Sequence, residues 1–175
     1  MRSLKVLFIA VLLSTLITGF KADRDIIHPA VGDIAPEIEL KNPQGDIVKL
    51  SSLRGQVVLI DFWASWCRTC RIENNNVRQA YNAYKNKNFD IGKGFTVYSV
   101  SLDKDPEIWK KAIKNDRLSW ASHVSDFKKW DSPIVEKYNF SYLPHNLLID
   151  KNGKIVAKGL IGDKLAETLK AHLAE

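Results

Sequence analysis

The stretch Asp61-Phe62-Trp63-Ala64-Ser65-Trp66-Cys67-Arg68-Thr69-Cys70 joins two different periodicities. Upstream of it, Val57 to Ala64 is a nearly continuous run of β-forming apolar residues, interrupted only by Asp61. Such a run fits a central strand buried on both faces. Downstream, there is neither Gly nor Pro from Cys67 to about Asn86, and Ile72, Val77, Ala80, Tyr81 and Tyr84 recur at helical spacing. The C-x-x-C pair therefore falls where a buried strand hands over to a long helix.

That position decides the chemistry. Cys67 lies at the helix N-terminus, where free N–H groups and the helix dipole favour an anion. A thiolate is stabilised there and its pKa falls below the free value of about 8.5, with Arg68 adding a nearby positive charge. Cys70 lies one turn further in, close enough to bond to Cys67. The pair can exchange with a partner disulfide: Cys67 attacks, and Cys70 resolves the mixed disulfide. A structural disulfide is the other reading of two cysteines in one chain, but a bridge across two residues closes too short a loop to stabilise much. No cofactor is expected, because the two sulfurs carry the electrons.

The resolving step needs a base near Cys70. Asp61 in the strand and Glu73, one turn beyond Cys70, are the candidates. An acid inside an apolar run would be desolvated and hold its proton to higher pH. The bland alternatives are a strand-end Asp61 open to water and a Glu73 on a solvated helix surface.

Moving outward, Glu37–Leu40 and Ile47–Leu50 alternate around the turn residues Asn42-Pro43-Gln44-Gly45-Asp46, which predicts a hairpin. Phe95 to Leu102 reads as a second strand, Pro106 to about Asn115 as a helix with Pro at its first position, and Trp120 to Val124 as an ambiguous segment with strand character. Ser132-Pro133 opens a short helix ending near Tyr138. Pro144–Asp150 and Ile155–Lys158 form a strand pair around Lys151-Asn152-Gly153, and Asp163–Ala174 is a closing helix. Strands alternating with helices predict an α/β domain, a central mixed β-sheet flanked by helices. It carries an N-terminal β-hairpin extension and a short insert before the strand that starts at Pro144.

The chain has 175 residues and 45% hydrophobic residues, enough for one packed core. Its formal net charge is +6, but Arg2, Lys5 and Lys21 supply three of those charges within 22 residues that hold no acid. The remaining charges are interleaved, which argues against nucleic acid as a partner. Residues 1–22 combine a positive start with the apolar run Val6–Ile17, the layout of a signal peptide or, uncleaved, of an N-terminal membrane anchor; a buried N-terminal helix is the alternative. Residues 23–35 read as a linker and 36–175 as the domain. The protein is expected to be exported, periplasmic or anchored facing that side.

The segment 61–70 resembles the thioredoxin active site. The wider pattern is similar to the extracytoplasmic TlpA/ResA branch of the thioredoxin-like superfamily: Val31-Gly32-Asp33-Ile34-Ala35-Pro36, Leu50-Ser51-Ser52-Leu53-Arg54-Gly55-Gln56-Val57-Val58-Leu59, and Leu143-Pro144 followed by Leu147–Ile155. The match runs from about residue 31 to 174. The resemblance implies a thioredoxin fold, a cis bond at Leu143-Pro144 opposite the cysteines, backbone pairing of a partner peptide with Leu143, and Trp66 flanking the exposed cysteine. Glu73 matches the acid which that branch places after its second cysteine, whereas Asp61 matches the buried acid of thioredoxin. Arg68-Thr69 and His145 depart from the common residues. The branch implies a protein-disulfide reductase supplied with electrons by a membrane donor.

Two other functions meet specific residues. Peroxiredoxins share the hairpin entry but need a Thr three residues before the reactive cysteine, where this chain has Ala64. Copper binding and delivery would use Cys67 and Cys70 as soft ligands with His145 as a third, and His123 as a more distant candidate.

Overall fold

The computed structural model describes residues 29–174. Residues 1–22, the expected signal or anchor, lie outside that range, and no helix among the described residues is long and apolar enough to cross a membrane. The strands are β1 (Glu39–Lys41), β2 (Ile47–Lys49), β3 (Val57–Trp63), β4 (Asn88–Phe89), β5 (Gly92–Lys93), β6 (Phe95–Ser101), β7 (Ser122–Ser125), β8 (His145–Ile149) and β9 (Ile155–Lys158). The helices are α1 (Arg68–Tyr84), α2 (Pro106–Asn115), α3 (Pro133–Tyr138) and α4 (Lys164–Ala171). Seven strands form one mixed sheet in the order β2-β1-β7-β6-β3-β8-β9.

β3 is the spine of that sheet. All of its residues are buried, as the continuous apolar run requires. It pairs in parallel with β6 (Asp61 beside Ser99) and antiparallel with β8 (Asp61 beside Asn146, Phe62 beside His145). β6 and β7 are also parallel. Thus the loops after β3, β6 and β7 and the loop entering β8 all meet at one end of the sheet, the end where open α/β sheets build their sites.

Local chemistry sets the connections. Asn42 closes the first hairpin by accepting the N–H groups of Gln44 (3.0 Å) and Asp46 (2.8 Å). Asp150 does the same in the return turn for Asn152 and Lys154, both at 2.8 Å. Asp105 caps α2 through Glu107 and Ile108, and Ser132 caps α3 through Ile134, each followed by the expected Pro. The hairpin extension is tied to the sheet by Tyr98, whose hydroxyl donates to the Val48 carbonyl at 2.8 Å.

Three expectations shift. Ile72, expected in the apolar stripe of α1, is 63% exposed. The buried stripe is Cys70, Glu73, Asn74, Val77 and Ala80, and a residue two positions past Cys70 falls about 200° round the helix from it. The strand expected from Trp120 begins at Ser122 instead, because Trp120 turns inward, donating from Nε1 to the Ser99 hydroxyl (3.0 Å) and stacking on His123. The stretch expected to be a linker ends in fixed structure. Gly32 N–H donates to Ile155 O, Ile155 N–H to Asp33 O and Ala35 N–H to Gly153 O, at 2.8–2.9 Å, so these residues line the start of β9 and the turn before it.

Candidate active site

Cys67 and Cys70 are joined in a disulfide, S–S 2.04 Å. Cys67 is the N-cap of α1: its Sγ accepts the backbone N–H of Cys70 at 3.1 Å and lies 3.4 Å from the Thr69 hydroxyl. These are the donors a thiolate at Cys67 needs. Cys70 faces the core, and Cys67 is nearly as buried. Arg68 is exposed and has no anionic partner among the described residues. Trp66, 48% exposed, donates from Nε1 to the Leu102 carbonyl at 3.3 Å and stands beside Cys67 as a lip.

The two candidate acids are both buried, which removes the water-exposed alternatives for each. Glu73 shares the inward face of α1 with Cys70. Its carboxylate accepts the Gly162 N–H with both oxygens (3.1 and 3.2 Å) and the Asn76 side-chain amide (3.1 Å). Asp61, on β3 beneath, receives no hydrogen bond among the described residues. Burial, reinforced by the negative charge of Glu73, pushes its carboxyl up to about 7. A polar relay holds this arrangement: buried Asn146, the β8 neighbour of Asp61, bonds both ways to Leu160 (2.7 and 3.1 Å), and the same loop delivers the Gly162 N–H.

The Leu143–Pro144 bond is cis. Both residues are half-buried at the entrance to β8, and the N–H and C=O of Leu143 take no partner among the described residues. A backbone pair left open at the site end of a sheet can accept an extended peptide.

His145 does not join the cysteines. Its ring stacks on Phe140 (centroids 5.1 Å, 9° apart) and lies near Phe62 and Tyr142. Burial, then the nearby charge of Lys158, pushes it down to about 4. His123 is also buried and held to about 4, on the Leu118 carbonyl and the Trp120 ring. Among the described residues no group of three His, Cys, Asp or Glu side chains has the geometry to hold a metal ion. With the two sulfurs joined in a disulfide, the ligand set of the copper alternative, Cys67, Cys70 and His145, is not assembled.

Sequence reading missed the support beneath the active loop. Buried Asp103 accepts the Ser65 N–H (3.0 Å), the Ser65 hydroxyl and the Ser101 hydroxyl (2.7 Å). From the other side Arg71 donates to the Ser65 carbonyl (3.3 Å) while paired through its guanidinium with Asp116, which also accepts from Asn74. Ser65 is thus held at its N–H, its hydroxyl and its carbonyl, two residues before the reactive sulfur. The one hint in the sequence was the position of Asp103, just past the end of a parallel strand.

Thiol–disulfide exchange is what this fold and this pair of sulfurs serve, and the chain is a thioredoxin-like thiol–disulfide oxidoreductase. It belongs to the AhpC/TSA family, matched over residues 31–158. It is similar to the thiol-disulfide oxidoreductase ResA of a Bacillus cereus strain, with 30% identity over 159 residues spanning 91% of this chain and 84% of that protein. Among solved structures it is similar to the thioredoxin domain of a thiol-disulfide oxidoreductase from Bacteroides vulgatus, with 40% identity and a TM-score of 0.73 over 81% of this chain and 96% of that one. A thiol-disulfide oxidoreductase from Bacteroides fragilis is 35% identical, with a TM-score of 0.71 over 79% and 98% of the two chains.

Proposed function

We propose that the protein works outside the cytoplasm as a reductase of protein disulfides. The Cys67 thiolate attacks a partner disulfide, forming a mixed disulfide and releasing one partner thiolate. Cys70 then passes its proton to the Asp61 carboxylate and attacks the Cys67 sulfur. The second partner thiolate leaves, two electrons have moved to the partner, and Asp61 returns its proton toward solvent. Leu143 holds the partner backbone, Pro144 packs against the sulfurs, Trp66 guides the approach, and Arg68 and Glu73 tune the charge.

The observation that carries the direction is the burial of two carboxyl groups, Glu73 on the face of α1 that holds Cys70 and Asp61 on β3 within reach of the Glu73 charge. Strong oxidants of this fold owe their potential to a stabilised dithiol form. Buried negative charge works against a thiolate, which moves the pair toward the reducing end. The layout of residues 1–22 supports export, and an exported reductase needs electrons from a membrane donor, because its compartment is oxidising.

Equilibrating the pair with dithiothreitol and glutathione tests this reading. A potential near or below about −250 mV is expected, whereas one near about −120 mV makes the protein an oxidant and overturns the direction. Fusing an export-dependent reporter enzyme to residue 22 tests the compartment.

A further inference from the structure

Four loops meet at the disulfide end of the sheet, and the one after β7 stands over Trp66, the neighbour of Cys67. Residues 126–131 hold two non-glycine residues in the left-handed region, Phe127 (φ 57°) and Lys129 (φ 53°), a conformation that side chains with a Cβ disfavour. It is kept by specific bonds. Ser125 Oγ accepts the Phe127 N–H and Asp126 Oδ1 the Lys128 N–H, each at 3.1 Å, and Phe127 packs edge-on against buried Trp109 at 5.5 Å. The result sets Lys129 Nζ 5.8 Å over the Trp66 ring and Trp130 6.5 Å from it.

Trp130 continues the aromatic surface. It lies 6.1 Å from Phe140, which stacks on His145, which meets Tyr142 edge-on. An aromatic arc thus runs from the residue before Cys67 to the residues before Pro144, and Trp66, Trp130 and Tyr142 expose 48%, 41% and 65% of their surface along it.

Among the solvent-facing charges on this end, basic groups outnumber acids four to three, because Asp103 is buried. Arg68, Lys104, Lys128 and Lys129 have no anionic partner among the described residues. The acids beside them keep their charge but are held on neutral donors: Asp103 on Ser65 and Ser101, Asp105 at the start of α2, Asp126 on the Lys128 N–H. Asp131 is the one exposed carboxylate of these loops with no bond of its own among the described residues.

We infer that Lys129 and Trp130, with Lys104, form a specificity surface that selects protein disulfides flanked by acidic and aromatic residues. This rests on the exchange reading above. Phenylalanine, tyrosine or tryptophan in the partner would lie against the arc while Asp or Glu beside its cysteine meets the basic rim. Selection acts on the encounter that precedes attack by Cys67 and so appears in the second-order rate.

The test uses the full chain, reduced beforehand with a small dithiol that is then removed. Its reaction with three peptides is followed by rapid mixing. Each peptide carries one internal disulfide, with flanks of Glu and Phe, Lys and Phe, or Glu and Ala. The Glu–Phe peptide is expected to react about tenfold faster than the Lys–Phe peptide at low salt, with the gap closing near 1 M salt. K104E/K129E is expected to invert the order, and W130A to erase the advantage of Phe over Ala. Equal rates for the three peptides with the unaltered chain, or an unchanged preference in K104E/K129E, would overturn the proposal. Hydroxyethyl disulfide, small and uncharged, separates the two levels: if the unaltered chain fails to reduce it, the exchange reading itself fails.

Discussion

Asp61 and Glu73 share one buried interface, between β3 and α1, and the negative charge of Glu73 adds to burial in keeping the Asp61 carboxyl protonated up to about 7. One acid is fully bonded and the other is not: Glu73 takes the Gly162 N–H and the Asn76 amide, while Asp61 takes no described donor. The unbonded acid is the one free to exchange a proton.

Replacing Asp61 by Asn should therefore change both stability and rate. The folded value of Asp61 lies above its ordinary 3.8, so between about 4 and 7 the folded chain binds a proton that the unfolded chain does not. Stability falls as pH rises through that window. Asp61→Asn removes the fall and should gain on the order of 3 kcal/mol over the unaltered protein at pH 8, and nothing near pH 4. Urea midpoints across pH measure it. His123 and His145, held neutral by burial down to about 4, tilt both curves the other way between 6.5 and 4, so the difference between the two proteins isolates Asp61. In the same variant the resolution of a trapped mixed disulfide should slow by about 100-fold.

Glu73→Ala leaves the Gly162 N–H and the Asn76 amide without their acceptor, and a loss of about 1–3 kcal/mol is expected in the same denaturation experiment. Because Glu73 helps hold the Asp61 proton, the pH window of Asp61 should shift downward in Glu73→Gln. The two substitutions should be non-additive in a double-mutant cycle read at pH 8.

The roles of the sulfurs separate cleanly. Cys70→Ser should accumulate a covalent adduct through Cys67 with a partner disulfide, visible on a non-reducing gel and released by dithiothreitol. Cys67→Ser should form none with the same partner, since Cys70 is the less exposed sulfur (1% against 7%) and lacks the N-cap donor that favours a thiolate at Cys67. An adduct in Cys67→Ser would reverse the assignment.

Asp103→Ala should be the most costly change outside the disulfide and its acids. It strips the acceptor from the N–H and hydroxyl of Ser65 and from the hydroxyl of Ser101. A loss of about 2–4 kcal/mol is expected from thermal or urea unfolding, together with slower attack by Cys67 on a small disulfide. Asp103→Asn, which keeps an acceptor oxygen, should recover part of both.

Most of the frame was legible because it is written in local terms. The apolar run of β3, the Asn42 and Asp150 turns and the Pro-led starts of α2 and α3 each depend on residues within a few positions of one another. The sulfurs were legible for the same reason. What escaped notice depends on pairings distant in sequence: Ser65 with Asp103, Arg71 with Asp116, Asn146 with Leu160. The polar start of the α1 stripe was hidden as well. Glu73 and Asn74 look like surface residues until their partners are known, and Ile72 looks like core until the phase of the helix is fixed by Cys70 and Val77.

The bonds that residues 32–35 make at the start of β9 have one more consequence. The last strand of a sheet ordinarily offers a ladder of free N–H and C=O groups on which another copy can grow. Here the outer flank is already occupied where β9 begins: Ile155 bonds to Gly32 and Asp33, and Ala35 to Gly153 in the turn before it. The opposite flank ends in β2, only three residues long and guarded by the Lys49–Glu39 ion pair. Strand-by-strand self-assembly is thus hindered at both margins, and the molecule can expose Trp66, Trp130 and Tyr142 at its reactive end with its sheet a poor template for aggregation.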